Sequence, residues 1–261
     1  MKFLGNITKR IKQNKFLFEE LVKRDFKQKY KRTVLGMGWS ILSPLLSLLV
    51  MKLVFGHFFG RGIAHYTTFL FCGNLVYSYY REATNGGMNS LMNNASIFTK
   101  INVPKYIFLL TKNVSAAINF LLTLCVFFIF AFLDNVNFGL HFVSLIFPIT
   151  CLVVFNIGIG MILSALYVFY RDIGYLYDVF TLLLMYCSAI FYNVDTLPAK
   201  YQSFFLLNPI YTYINYFRTV VLKGTIPSME YHLLCAFYAL ISVFIGGWIY
   251  KRYNHRFLYY V

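Results

Sequence analysis

Acidic side chains are scarce in this chain: nine Asp and Glu stand against 24 Lys and Arg in 261 residues. Charged residues of both signs together make up 13%, against about 25% in a typical soluble domain. So few carboxylates exclude several chemistries. No run of intramembrane acids of the proton-carrier kind is present, and no nucleophile–base constellation is visible. No GxxxxGK[ST] stretch occurs, so the chain has no phosphate-cradling loop of its own. Cys72, Cys125, Cys151, Cys187 and Cys235 stand singly in apolar runs, without metal-site or redox spacing, and an odd count cannot form a full disulfide set. They read as small core or lipid-facing residues. The five histidines form no HExxH or other ligand pair, so no metal site is expected. A cleavable leader is not expected either, because Lys9, Arg10, Lys12 and Lys15 interrupt the first twenty residues.

What the chain has instead is apolar sequence, 59% of it, which predicts an all-α integral membrane protein. Six apolar segments can be marked at about 34–55, 67–92, 106–133, 142–169, 174–194 and 231–250. The first has 22 positions and would reach about 33 Å as a helix, against a bilayer core of roughly 30 Å. Its only ionisable group is Lys52. The second and fourth exceed a minimal span, which predicts tilt or extension beyond the bilayer. Thr84, Asn85, Asn89, Ser90, Asn93 and Asn94 crowd the end of the second, so its embedded part is expected to stop near Met88.

With six spans both termini share a side. The positive-inside rule assigns that side to the cytoplasm, because it collects the basic N-terminus, Lys100, Lys105, Arg171, Lys251, Arg252 and Arg256. The other side receives Arg61, Lys200, Arg218, Lys223 and, near the end of the first segment, Lys52. A net charge of +15 would suggest nucleic acid in a soluble protein. Eleven of the basic residues precede Val34, however, and anionic headgroups are the simpler partner at about 1 kcal/mol per residue. No nucleic-acid partner is expected.

Within that basic stretch, Phe18, Leu21, Val22, Phe26 and Tyr30 recur at helical steps, with Lys23, Arg24, Lys27 and Lys31 between them. This predicts an interfacial amphipathic helix, either a membrane anchor or a platform for a cytoplasmic partner. Segment 195–230 is long and aromatic, and Pro198, Asn208-Pro209 and Gly224 divide it into two helix-sized pieces. Two short re-entrant helices before the last span would explain both its length and its content.

Among ionisable residues, Arg81-Glu82 reads either as side chains paired with neighbours or as a polar strip lining a conduit. Arg171-Asp172 reads as a salt bridge holding a short turn. Aromatics make up 20% of the chain. Interfacial belts and packing account for many, yet Tyr77, Tyr80, Tyr167, Tyr170, Tyr175 and Tyr177 are also the residues a sugar conduit would use, through ring stacking and hydroxyl contacts.

The string Val34-Leu35-Gly36-Met37-Gly38-Trp39-Ser40-Ile41-Leu42-Ser43-Pro44, preceded by Arg24-Asp25-Phe26-Lys27-Gln28-Lys29-Tyr30, resembles the opening of ABC-2 type permeases. The resembling subgroup exports O-antigen, capsule, rhamnose-rich wall polysaccharide or teichoic acid. Phe98-Thr99-Lys100-Ile101-Asn102-Val103-Pro104, then Tyr170-Arg171-Asp172, then Asn208-Pro209 with Arg218 and Gly224 follow in the family's order. Gly36, Trp39, Pro44, Arg171, Asp172, Asn208, Pro209 and Arg218 carry the structural motif.

The resemblance implies a transmembrane domain over 34–251, a cytoplasmic interface segment 1–33 and a tail 252–261. It implies a permease subunit, not an enzyme, for a lipid-linked, polyprenyl-borne glycan in the bacterial cytoplasmic membrane. Such permeases work as a homodimer with two copies of an ATPase, which holds the ATP and Mg; no cofactor is expected in this chain. Region 94–105, with Asn94, Phe98, Lys100, Pro104 and Lys105, would be the coupling helix. Region 195–224 would be the outer gate, and Lys29, Lys31 and Arg32 would meet the lipid headgroup, although a pure topology signal would produce the same cations. The motifs are common to all these polymers. An exporter of a small hydrophobic molecule shares the six-span plan, and a membrane glycosyl- or acyltransferase is a further alternative from another class.

Overall fold

A computed structural model describes residues 14–60, 62–100, 103–254 and 256–260. Lys9, Arg10, Lys12 and the rest of 1–13, the external cation Arg61, and Ile101 and Asn102 of the coupling stretch lie outside the described residues, as do His255 and Val261.

Every regular element among the described residues is helical. The longer ones are α1 (Lys15–Tyr30), α2 (Trp39–Phe59), α3 (Tyr66–Asn89), α4 (Ala95–Phe98), α5 (Tyr106–Leu133), α6 (Ile146–Phe169), α7 (Ile173–Cys187), α8 (Ala199–Phe205), α9 (Pro209–Lys223) and α10 (Met229–Tyr253). Short 3-10 segments precede α2, α4, α6 and α8, and one at Arg256–Leu258 follows α10.

Among the described residues, four stretches are long and apolar enough to cross a membrane: Gly36–Phe59, Tyr106–Leu133, Leu140–Phe169 and Met229–Tyr253. They correspond to four of the six marked segments. The remaining two differ for physical reasons. α3 has the length, 24 residues, but carries Asn74, Ser78, Arg81, Glu82 and Asn85. It can do so because it is the inner helix: 16 of its residues are buried, mainly against α5, α6 and α9. α7 is only 15 residues, or about 22 Å, and ends at Cys187. Beyond it Ala189 takes a left-handed φ of 50°, and residues 188–194 fold back instead of continuing the helix to 194.

Helix packing in the bundle relies on missing side chains. A Cβ at Gly158 of α6 would lie 2.4 Å from the Ser242 backbone of α10, and one at Gly246 would lie 2.6 Å from the Gly158 carbonyl oxygen. A Cβ at Gly87 of α3 would lie 3.0 Å from the Gly160 Cα of α6. Small residues let backbones meet where lipid offers no hydrophobic drive for association. α6 and α10 are accordingly the most extensively packed pair, with α3 against α5 and α6 next.

The two expected helices before the last span form as α8 and α9. α9 is bracketed by its sequence. The Asn208 side chain accepts from the N–H of Ile210 at 3.0 Å, Pro209 takes the first helical position, and Gly224 caps the end at φ 64°.

Candidate functional site

Three helices of the bundle each carry a polar stripe at helical spacing. α2 contributes Ser40, Ser43 and Ser47; α3 contributes Asn74, Ser78 and Glu82; α5 contributes Asn119 and Thr123. They converge on a cleft of about 450 Å³, with Lys29 and Tyr30 of α1 at its edge and Trp39 and Pro44 on its wall. Tyr79 and Phe120 stack within it, ring centroids 4.5 Å apart. Pro44 sits inside α2 and has no N–H for the carbonyl one turn back, which weakens the helix at the cleft wall.

The cleft is closed at α1 by a connected polar group. Lys29 Nζ lies 2.6 Å from Glu82 Oε1, and the Asn119 amide donates to the same oxygen at 2.6 Å. The Tyr30 hydroxyl donates to Asn119 Oδ1 at 3.0 Å and is hydrogen-bonded to Ser40 Oγ. Of the two readings of Arg81-Glu82, pairing with neighbours describes Glu82, although the partner is Lys29 across the helices. Arg81 is exposed and borders an adjoining hollow with Asn85 and Gly86. Lys31 and Arg32 are exposed beyond the end of α1, Arg32 at a left-handed φ of 64°.

One turn earlier, Asp25 is buried on the face of α1 that carries Leu21. It pairs with Lys112 of α5 at 2.9 Å and with Arg24 at 3.1 Å, and Arg24 donates to Asn94 Oδ1 at 2.7 Å. α1 is thereby tied to the short turn before α4. Asn94 donates in turn to the Ser90 carbonyl at 2.8 Å. The helix within 94–105 is short, Ala95–Phe98.

Lys105 is buried. Its ammonium donates to the Asn254 carbonyl and lies 5.9 Å from the Phe98 ring and 5.6 Å from the Phe257 ring. Burial pushes its pKa down from the usual lysine value. Leu21, Phe98, Phe108, Tyr250 and Phe257 pack around this point, so α1, α4, α5 and the C-terminal turn form one cluster. Lys100 is exposed and Pro104 half-buried.

The six tyrosines separate into two groups. Tyr77 and Tyr80 of α3 and Tyr177 of α7 are buried where these helices meet; Tyr77 donates to the Thr181 carbonyl at 2.7 Å, and Tyr177 is hydrogen-bonded to Thr84. Tyr80 and Tyr177 also border an apolar hollow of about 490 Å³ between α6, α7 and α10. Tyr170 and Tyr175 are exposed and Tyr167 half-buried around the α6–α7 turn. No Arg171–Asp172 ion pair forms among the described residues. Arg171 instead lies 5.6 Å over the Tyr167 ring, while Asp172 precedes α7, where its charge complements the helix N-terminus.

Arg218, counted in sequence among the outer loop cations, is buried at 6% exposure. Its guanidinium donates to the carbonyls of Ala189 and Ile190 at 2.8 Å each and to that of Phe69 at 3.3 Å, and stacks 3.4 Å from the Phe69 ring. Asn208 adds donors to Ser188 Oγ at 3.0 Å and to the Cys187 carbonyl at 3.2 Å. Residues 188–192 are thus held by α9. Sequence reasoning passed over the Ser40, Asn74 and Asn119 stripes, although their three- and four-residue spacing within apolar runs was there to be read.

A family model described as ABC-2 type transporter matches residues 17–222. A Klebsiella pneumoniae protein named O-antigen export system permease protein RfbA is 28% identical over 93% of this chain and 95% of its own length. A Myxococcus xanthus protein of the same name is 22% identical over 96% of this chain and 97% of its own. The Escherichia coli polysialic acid transport protein KpsM is 23% identical over 91% of this chain and 93% of its own.

Proposed function

The chain belongs to the ABC-2 type transporter family, and from that premise we propose that it is the permease subunit of an ATP-driven exporter of a lipid-linked polysaccharide of the O-antigen or capsule kind. The observation that carries the substrate class is the full-length similarity to relatives named for O-antigen and polysialic acid transport. Neither a small-molecule exporter nor a membrane transferase is favoured by them.

The chain crosses the cytoplasmic membrane six times, α3 and α7 included. The interior position of α3 supports this, since a helix wrapped by others needs no lipid-compatible face. α1 lies at the cytoplasmic interface, both termini are cytoplasmic, and α8 with α9 re-enter from outside as the gate region. The burial of Arg218 supports that orientation, because it removes one cation from the outer loops.

Two copies of the chain work with two copies of an ATPase that holds ATP and Mg. α2 and α7 support the dimer: only Ser40 and Leu48 of α2, and Tyr177 and Thr181 of α7, are buried within one chain. The ATPase pushes on α1 and on the 94–105 stretch, which Arg24–Asn94 and Lys105 tie to the bundle. Lys29, Lys31 and Arg32 meet the lipid headgroup, and the tyrosine groups face the glycan's path. Substituting the Walker residues of the partner ATPase should stop surface display of the polymer while this chain still inserts. Continued display with a dead ATPase would overturn the reading.

A further inference from the structure

The polar cleft has one cation and one carboxylate at its edge, and each is spent on the other: Lys29 and Glu82. Their side chains remain 45% and 40% exposed, so an anion can reach Lys29 without parting the helices. The neighbouring amide is already aimed. Tyr30 fixes the Asn119 oxygen, which leaves the amide N–H for the anion position that Glu82 occupies.

We propose that this is a diphosphate-binding site in which Glu82 is a resident competitor, displaced from Lys29 and Asn119 when the ligand's phosphate arrives. The inference rests on the export reading above and specifies which part of the substrate the cleft takes and what sets its selectivity. Exchanging one singly charged anion for another gains no Coulomb energy at Lys29, so abundant monoanionic phospholipids would not win the exchange. A diphosphate carries more charge and more acceptors, and charge-assisted hydrogen bonds reward both. Arg81, exposed in the hollow that also adjoins Glu82, can answer part of the extra charge, whereas Lys112 in the other hollow is held by Asp25. Behind the mouth, the Ser40–Ser43–Ser47 stripe and the Tyr79–Phe120 stack offer hydroxyls and ring faces to the first sugar. The cleft volume of about 450 Å³ lies in the range of small-ligand sites.

Trp39 on the cleft wall makes the test direct, since the only other indole is Trp248. The full chain carrying Trp248→Phe, in lipid nanodiscs, is titrated with farnesyl diphosphate while Trp39 emission is followed. Saturable change is expected, with none from farnesol. Equal binding of inorganic pyrophosphate would support the site and assign it to a soluble diphosphate; preference for the farnesyl compound would support it and assign it to a lipid headgroup. Glu82→Gln should tighten binding by about tenfold and let phosphatidylglycerol compete, while Lys29→Gln should weaken it by about tenfold or more. Glu82→Asp, which shortens the reach to Lys29, should fall between wild type and Glu82→Gln and serves if the latter unfolds. No saturable binding, or equal affinities for wild type and both Glu82 variants, would overturn the proposal. Polymer display by the same variants, scored separately, tests the export reading: display intact with binding unaffected by Glu82 rejects the competitor and leaves export standing.

Discussion

A buried guanidinium with three carbonyl partners is a demanding arrangement, and Arg218 shows why lysine could not replace it. The planar fork reaches Phe69, Ala189 and Ile190 together, and Gly73 leaves room for it, since a Cβ there would lie 3.1 Å from the guanidinium. An ammonium satisfies fewer of these acceptors and cannot stack flat on the Phe69 ring. Arg218→Lys should therefore destabilise the protein by about 2–3 kcal/mol, in the range of a lost hydrogen bond to a charged group. A thermal or denaturant melt of the purified protein in detergent checks this; an unchanged midpoint would count against it. Residue-scale roles of this kind were poorly legible. Arg218 looked like a topology cation because the chain gives no sign that residues 188–192 turn back towards it. Asp25 was hidden in the same way, since a lone acid among basic neighbours reads as exposed charge, whereas Lys112 that claims it lies far along the sequence.

Elements were far more legible, because their signals are local. The apolar run 106–133 coincides with α5, and Asn208-Pro209 with Gly224 bracketed α9 through the capping chemistry of its own ends. α7 was drawn too long because apolar content continues past Cys187, although the backbone does not stay helical. The packing between elements rests on glycines whose meaning appears only when two helices are brought together. Gly158→Val should separate α6 from α10, because its Cβ would occupy space now held by the Ser242 backbone. Gly247→Val, on the same α10 with nothing within 4 Å, should be tolerated. Thermal stability of the two variants should differ widely; equal midpoints would show that the close crossing does not hold the pair.

At the scale of the molecule, one chain leaves two of its helices nearly uncovered. Leu49, Leu53 and Phe58 of α2, and Leu176, Val179 and Leu183 of α7, are exposed. The dimer proposed above would cover them. Particle mass in nanodiscs should correspond to two copies per disc, and Leu53→Arg should shift it towards one, because a charge facing an apolar partner inside the membrane is costly. One copy for the wild-type chain would reject the dimer. The family was readable at this scale because its short motifs keep their order across the chain, while the cleft was not, being assembled from three separated helices.

The ties around α1 and the Arg218 clamp use different chemistry. Around α1 the ties are ion pairs, Lys29 with Glu82 and Lys112 with Asp25. The Arg218 hold on residues 188–192 joins a buried guanidinium to backbone oxygens and contains no carboxylate. A turn held this way keeps its grip in salt that would screen the half-exposed Lys29–Glu82 pair.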